Sequence, residues 1–261
     1  MYPGFKFINK LPSINEQRLI QRKFLVHILA SKQLKMIKFL SAGVGDGEEL
    51  DFLFASSILK SAIAKVICID ILNSYFNPYS LSNLSNVLNK TAFIQEDVRN
   101  IQKRFNQGEF DIIQCGFLMH EIKYENKNDV LINFFNLLKP NGYLIYSDIF
   151  ADNHKRQSLD EELLRIKSIE RIYNSFIKEA IECVKNGAMA SDEWNLLCGD
   201  GIKEGLLKSM KKAMDGLDDY YEPLDKARFR LRDCGYWDIM TYANKKNDHL
   251  FVIGAKKVWK I

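Results

Sequence analysis

The chain has 261 residues, 47% of them hydrophobic, with a formal charge of +4 at pH 7. That composition excludes global disorder, and the charge is too small to mark a protein built around a polyanion. Five cysteines without a CxxC pair and four scattered histidines exclude a disulfide framework or zinc site by spacing. The N-terminal stretch has no signal-like apolar run, and no segment approaches the roughly 20 apolar residues that span a bilayer. The expectation is a cytoplasmic protein with no membrane partner and no metal.

In chain order, residues 14–34 have helical spacing, with Ile14, Leu19, Ile20, Phe24, Ile28 and Leu29 on one face. MIKFLSAG then reads as a strand ending in glycine, and GEELDFLFASSILKSA as a helix. KVICIDIL is an uninterrupted apolar run, as a strand buried on both faces requires. A helix is expected through about Leu88, then strands at TAFIQEDV and FDIIQCGFL. NDVLINFFNLLK is a helix stopped by Pro140, and Pro-Asn-Gly turns the chain into the strand YLIYSDIF. Strands alternating with helices imply βαβ units, a parallel sheet, and helices on both faces.

After Phe150 this rhythm stops. Residues from Leu159 to Val184 form one long amphipathic helix, and a second helical region covers about 191–215, interrupted at 199–201. YEPLDKARFRLRDCG is a helix closed by Gly235. The strands YWDIMTYA and HLFVIGAKKV form a final hairpin, so the last strand is antiparallel to its neighbour. The chain divides into an N-terminal helical segment (1–35), a core (36–150), a helical insertion (151–221), and a final helix with hairpin (222–261).

In an open parallel sheet, ligands bind at the carboxyl ends of the strands. The first such end is Ser41-Ala42-Gly43-Val44-Gly45-Asp46-Gly47, followed by Glu48 and Glu49. Its G-x-G-x-G spacing misses the dinucleotide fingerprint, no Lys-Ser/Thr follows as in a P-loop, and three acids would repel phosphate. These residues resemble the first motif of class I S-adenosylmethionine-dependent methyltransferases, whose cofactor is cationic at sulfur and carries no phosphate. Ser41 stands where most members have Asp or Glu, as it does in the histamine N-methyltransferase group. The resemblance covers about 36–150 and 222–257. It implies a Rossmann-like, seven-stranded, mostly parallel α/β sheet with an antiparallel last strand, plus a helical insertion as cap.

The same resemblance implies that Ser41, Gly43, Gly45 and Gly47 hold S-adenosylmethionine, whose product is S-adenosylhomocysteine. It places Asp70 and Ile71 at the ribose, Asp97 and Val98 at the adenine, and Cys115 and Gly116 beside the methyl group. On the residues alone, Asp70 also reads as a strand-end cap and Asp97 as a helix N-cap. His120 and Glu121 follow the fourth strand and border the reacting centre, where His120 could accept a proton or simply pack. Asp148, Tyr173 and Arg230 are the candidate substrate contacts.

The function expected is methyl transfer to oxygen or nitrogen of a small molecule, beneath a cap made by the N-terminal helix and the insertion. An RNA-modifying enzyme is the alternative, but Lys155, Arg156, Arg165, Lys167 and Arg171 are diluted by acids, as on a solvated helix face. The layout is also similar to that of carboxy-S-adenosylmethionine synthases, where an Arg at the position of Arg230 could hold a carboxylate. A non-catalytic protein that keeps the fold is the third class, and a homodimer is left open.

Overall fold

The computed structural model describes residues 9–72, 76–152, 161–188, 202–216 and 219–258. The apolar runs become seven strands: β1 (Ile37–Ala42), β2 (Ile63–Asp70), β3 (Thr91–Gln95), β4 (Phe110–Gly116), β5 (Leu138–Ile149), β6 (Tyr236–Ala243) and β7 (Leu250–Lys257). They form one sheet in the order β3-β2-β1-β4-β5-β7-β6. Strands β1 to β5 run parallel, and β7 lies antiparallel between β5 and β6. Strand order reverses between β1 and β4, so the crevice that accepts a ligand opens at their carboxyl ends.

Alternate residues of each strand face opposite layers. Leu40, Ala42, Ile113, Cys115, Leu144 and Tyr146 pack beneath α4 (Lys127–Leu137) and α7 (Leu224–Asp233). Phe39, Val66, Cys68, Ile112 and Ile145 pack beneath α1 (Pro12–Lys32), α2 (Glu48–Leu53) and α3 (Ser57–Ala62). Helix α5 (Glu161–Lys185) divides its apolar stripe. Ile169, Ile172 and Tyr173 meet Ala213 of α6 (Ile202–Met214). Ala180 and Cys183 meet Leu11 and Ile14 at the start of α1, beside Phe117 and Ile149. Glu179 of α5 also accepts hydrogen bonds from the backbone N–H and hydroxyl of Ser13. The N-terminal helix and the insertion therefore meet over the ends of β4 and β5. No described helix is long and apolar enough to cross a membrane.

Three elements depart from the sequence expectations. The helix expected over 47–62 splits into α2 and α3, because Phe54 turns fully into the core and Ser56 caps a new helix by accepting from Leu59 N–H. The helix expected through Leu88 is replaced by 3₁₀ turns at Pro78–Ser80 and Leu84–Lys90. Their backbone donors find tertiary acceptors: Asp51 of α2 accepts from Asn83 N and Leu84 N, each at 2.7 Å. Pro-Asn-Gly at 140–142 bulges inside β5 rather than turning into it, with Asn141 at φ 62° and a register break opposite Asp111. The expected helix start at Leu159 and the interruption at 199–201 lie outside the described residues.

Helix α1 is seated where β7 lacks a side chain. A Cβ on Gly254 would come within 2.2 Å of two Phe24 ring atoms. Gly254→Ala must therefore expel that ring. It should lower unfolding stability by about 1–3 kcal/mol, as overpacking does, read as a fall in the urea midpoint. An unchanged midpoint would show that α1 is not docked there.

Candidate functional site

The loop between β1 and α2 turns back on itself with Gly43, Gly45 and Gly47 all at positive φ. A side chain at Gly43 would strike Leu118, and one at Gly47 would strike Phe76 and Leu81. At Gly45 nothing lies within 4 Å of a Cβ position, so that backbone faces open space. The loop is tied to β2. Gly43 N and Val44 N donate to Ile69 O, and Gly45 N donates to Asp70 Oδ2 at 2.8 Å. Asp70 Oδ1 accepts from Leu72 N at 3.0 Å. Asp70 is thus fixed at the sheet edge beside the glycine loop, and the side chain of Ile71 is exposed next to it.

Across the β1–β4 junction lies a polar cluster of which the sequence expectations named only Ser41. Ser41 Oγ donates to Gln114 Oε1 at 2.8 Å, and Gln114 Nε2 donates to Glu49 Oε2 at 2.8 Å. Glu49 Oε1 also accepts from Gln21 Nε2 at 2.6 Å and Ser147 Oγ at 3.3 Å. Burial pushes the Glu49 carboxyl above its ordinary value, against the opposing pull of Arg18 and these three donors. The signal for this cluster was in the sequence. Gln114 and Ser147 are polar positions inside otherwise apolar strands, and such groups require partners when buried.

A second cluster surrounds His120. Its Nδ1 lies 2.5 Å from Asp148 Oδ1, and its backbone N–H donates to Asp148 Oδ2 at 3.1 Å. Nε2 is 3.9 Å from Asp219 Oδ1, too long for a hydrogen bond. Asp219 Oδ2 accepts from Tyr173 at 2.8 Å and from Tyr221 at 3.1 Å. The Tyr221 ring stacks on the imidazole at 5.5 Å. The buried Lys127 donates to Met119 O and so anchors the turn that carries His120. Burial pulls the imidazole pKa down, but Asp148, Asp219 and Glu121 together push it up to about 9. The Glu121 carboxyl is raised by desolvation, then by Asp219, Asp148 and Asp70, against the pull of His120. Glu121 therefore senses both the imidazole and the acid at the end of β2.

The structure gathers Ser41, the glycine loop, Asp70, Ile71, Gly116, His120, Glu121 and Asp148 at one sheet edge. Other candidates have different surroundings. Asp97 caps a 3₁₀ turn and pairs with Arg99, whose hydrogen bonds hold its carboxyl below the usual value. Val98 and the Cys115 side chain lie in the core, because strand alternation turns Cys115 away from Gln114 and Gly116. Arg230 donates to the buried Glu222 at 2.7 Å and to Asn128 at 2.6 Å. Tyr173 reaches the site through Asp219. A groove of about 610 Å³ between α1 and 55–58 is lined by Arg22, Lys23 and His27 and holds none of these groups.

A family model described as a methyltransferase domain matches residues 15–184. No curated protein matches the sequence. Among solved structures, the chain is similar to a possible exported protein from Bordetella parapertussis. The identity is 14% and the TM-score 0.56, covering 95% of this chain and 70% of that one. It is also similar to 1,6-didemethyltoxoflavin-N1-methyltransferase from Burkholderia thailandensis, solved with 1,6-didemethyltoxoflavin and S-adenosylhomocysteine. There the identity is 14% and the TM-score 0.53, covering 92% and 79% of the two chains. A third is an O-methyltransferase family protein from Burkholderia thailandensis, at 10% identity and TM-score 0.56, covering 94% and 60%. At these identities the likeness is one of fold.

The imidazolium of His120 is stabilised by carboxylates that fold around it. Its contribution to stability is fully present below pH 6.5 and is lost as pH rises through about 9. Nitrogen NMR of the wild-type imidazole should show titration near pH 9. Asp148→Asn should bring the midpoint down by more than about one unit, since an adjacent carboxylate shifts a pKa by that much. A wild-type midpoint at the ordinary value of 6.5 would contradict this geometry.

Proposed function

Because the chain belongs to the methyltransferase-domain family and is a class I S-adenosylmethionine-dependent methyltransferase, we propose that it methylates oxygen or nitrogen of a small aromatic acceptor, with His120 taking the acceptor's proton. The observation that carries this reading is the 2.5 Å contact between His120 Nδ1 and Asp148 Oδ1. It commits Nδ1 and leaves Nε2 without a hydrogen bond to Asp219, whose Oδ1 is 3.9 Å away.

The residues at the sheet edge fit the cofactor. The open space over Gly45 admits close approach to the main chain. The carboxylates grouped there, Glu49, Asp70 and Glu121, suit a sulfonium and ribose hydroxyls and disfavour phosphate. Gly43, Gly45 and Gly47 would hold the ligand by backbone, Asp70 the ribose, and Ile71 one apolar wall. S-adenosylmethionine supplies a methyl group already activated for in-line displacement, so the protein's task is alignment and exclusion of water. Asp97, already paired with Arg99, serves the turn it caps.

The acceptor side would be walled by the insertion. Asp219 and Tyr221 come from its end and Tyr173 from α5, while Tyr124 donates to Tyr221 O at 2.5 Å. An aromatic wall with acidic groups suits a planar, uncharged or cationic acceptor. It disfavours an RNA backbone, which like charge would repel. Arg230, engaged with Glu222, is set away from a carboxylate-holding role. The similar solved structures include an N1-methyltransferase and an O-methyltransferase family protein, which supports the same acceptor atoms.

At neutral pH the imidazole is protonated, so only its deprotonated fraction can act as base. With a panel of phenols and heteroaromatic amines, kcat/KM should rise with pH, passing half its maximum near 9 and levelling off above it. Asp148→Asn should move that rise to lower pH. His120→Ala should lower kcat by about 10²–10⁴, the range for a general base, with S-adenosylhomocysteine affinity within twofold of wild type. A flat pH profile together with an undiminished His120→Ala rate would remove His120 from the chemistry.

A further inference from the structure

Ser41 presents a neutral hydroxyl where related first motifs carry an acid, and that hydroxyl is engaged with Gln114. A carboxylate nevertheless lies at this sheet end. Glu49, on the first turn of α2, turns its side chain back over the carboxyl end of β4. A Cβ on Gly116 would sit 1.9 Å from Glu49 Oε2 and 2.4 Å from Oε1, so only glycine lets the carboxylate rest there.

We propose that Glu49 supplies the negative charge that holds the ammonium of the amino-acid part of S-adenosylmethionine, in place of an acid at position 41. This rests on the cofactor reading above and adds a binding residue to it. Three neutral donors, Gln21, Gln114 and Ser147, orient the carboxylate without neutralising it. The nearby guanidinium of Arg18 is shared with Asn9 at 2.6 Å and with Glu48 at 3.9 Å. A second acceptor waits beside it. Gln21 Oε1 is buried and has no hydrogen-bond partner among the described residues. An ammonium has three protons to donate. Glu49 and Gln21 Oε1 together offer it a charged and a neutral acceptor from α2 and α1.

The arrangement also accounts for the serine. Ser41 donates to Gln114 Oε1, which turns Gln114 Nε2 towards Glu49. An ionised Asp at 41 cannot donate, and would face that amide oxygen with like polarity while standing near a second carboxylate.

A purely structural role for Glu49 would be to brace α1 against the sheet, and the two roles separate experimentally. Glu49→Gln and Gly116→Ala are made in the full chain and titrated by calorimetry with S-adenosylhomocysteine and with 5′-methylthioadenosine, which lacks the amino-acid part. The expected result is a loss of roughly twentyfold or more in S-adenosylhomocysteine affinity for Glu49→Gln, the scale of a lost charge-assisted contact. Methylthioadenosine affinity should change by less than about twofold. Gly116→Ala displaces the carboxylate without removing it and should show the same selectivity. Folding raises this carboxyl's pKa, so its charge opposes folding above the ordinary carboxylate range. The melting temperature of ligand-free Glu49→Gln should therefore match or exceed wild type at pH 7. Parallel loss of both ligands with a lowered melting temperature would make Glu49 a brace and overturn the proposal. Unchanged S-adenosylhomocysteine binding would overturn it too. Wild-type protein that binds neither ligand would instead remove the cofactor reading, and the Glu49 role with it.

Discussion

Carboxylates gathered at the carboxyl edge of a parallel sheet repel one another and lose solvation, so each needs a donor that the fold must supply. The rest of the architecture follows from how this is met. Glu49 is held by side chains from α1, β4 and β5. Asp70 is held by the backbone of the glycine loop and of Leu72. Asp148 is held by His120, and Asp219 by two tyrosines. Each carboxylate has at least one partner from another element, so the acids bind the layers together while remaining at the sheet end.

The N-terminal helix and the insertion gain their purpose from the same constraint. Gln21 can reach Glu49 only because α1 lies on the layer shared by Ser41, Gln114 and Ser147, seated by Phe24 over Gly254. Asp219 can face His120 only because Tyr220 N donates to His120 O and the α5–α6 pair closes behind Tyr173 and Tyr221. The separation of roles is physical. The α1 and α2 side places Gln21 and Glu49 beside Ser147 and Gln114, and the α5–α6 side places Tyr173 against Asp219 near His120.

Much of this was legible in the sequence. Continuous apolar runs gave β2 and β4, the terminal hairpin gave the antiparallel β7, and the glycine spacing with its acids excluded a phosphate ligand. His120 and Asp148 were each placed at strand ends, though not as partners. Glu49 escaped because its significance lies in Gln21, Gln114 and Ser147, contributed by three other elements, and in the missing Cβ of Gly116. Val98 and Cys115 were named from motif position; their side chains point into the core, which leaves only their backbone to face the sheet end. The lost helix before β3 was unreadable locally, since it is Asp51 of a distant element that captures the backbone donors of Asn83 and Leu84.

The most direct test is a crystal structure of the chain grown with S-adenosylhomocysteine. The account predicts ligand density over the carboxyl ends of β1, β2 and β4, in contact with Gly45 and Asp70, its amino group facing Glu49. Density in the basic groove between α1 and 55–58, or an amino group turned away from Glu49 towards Ser41 alone, would contradict it.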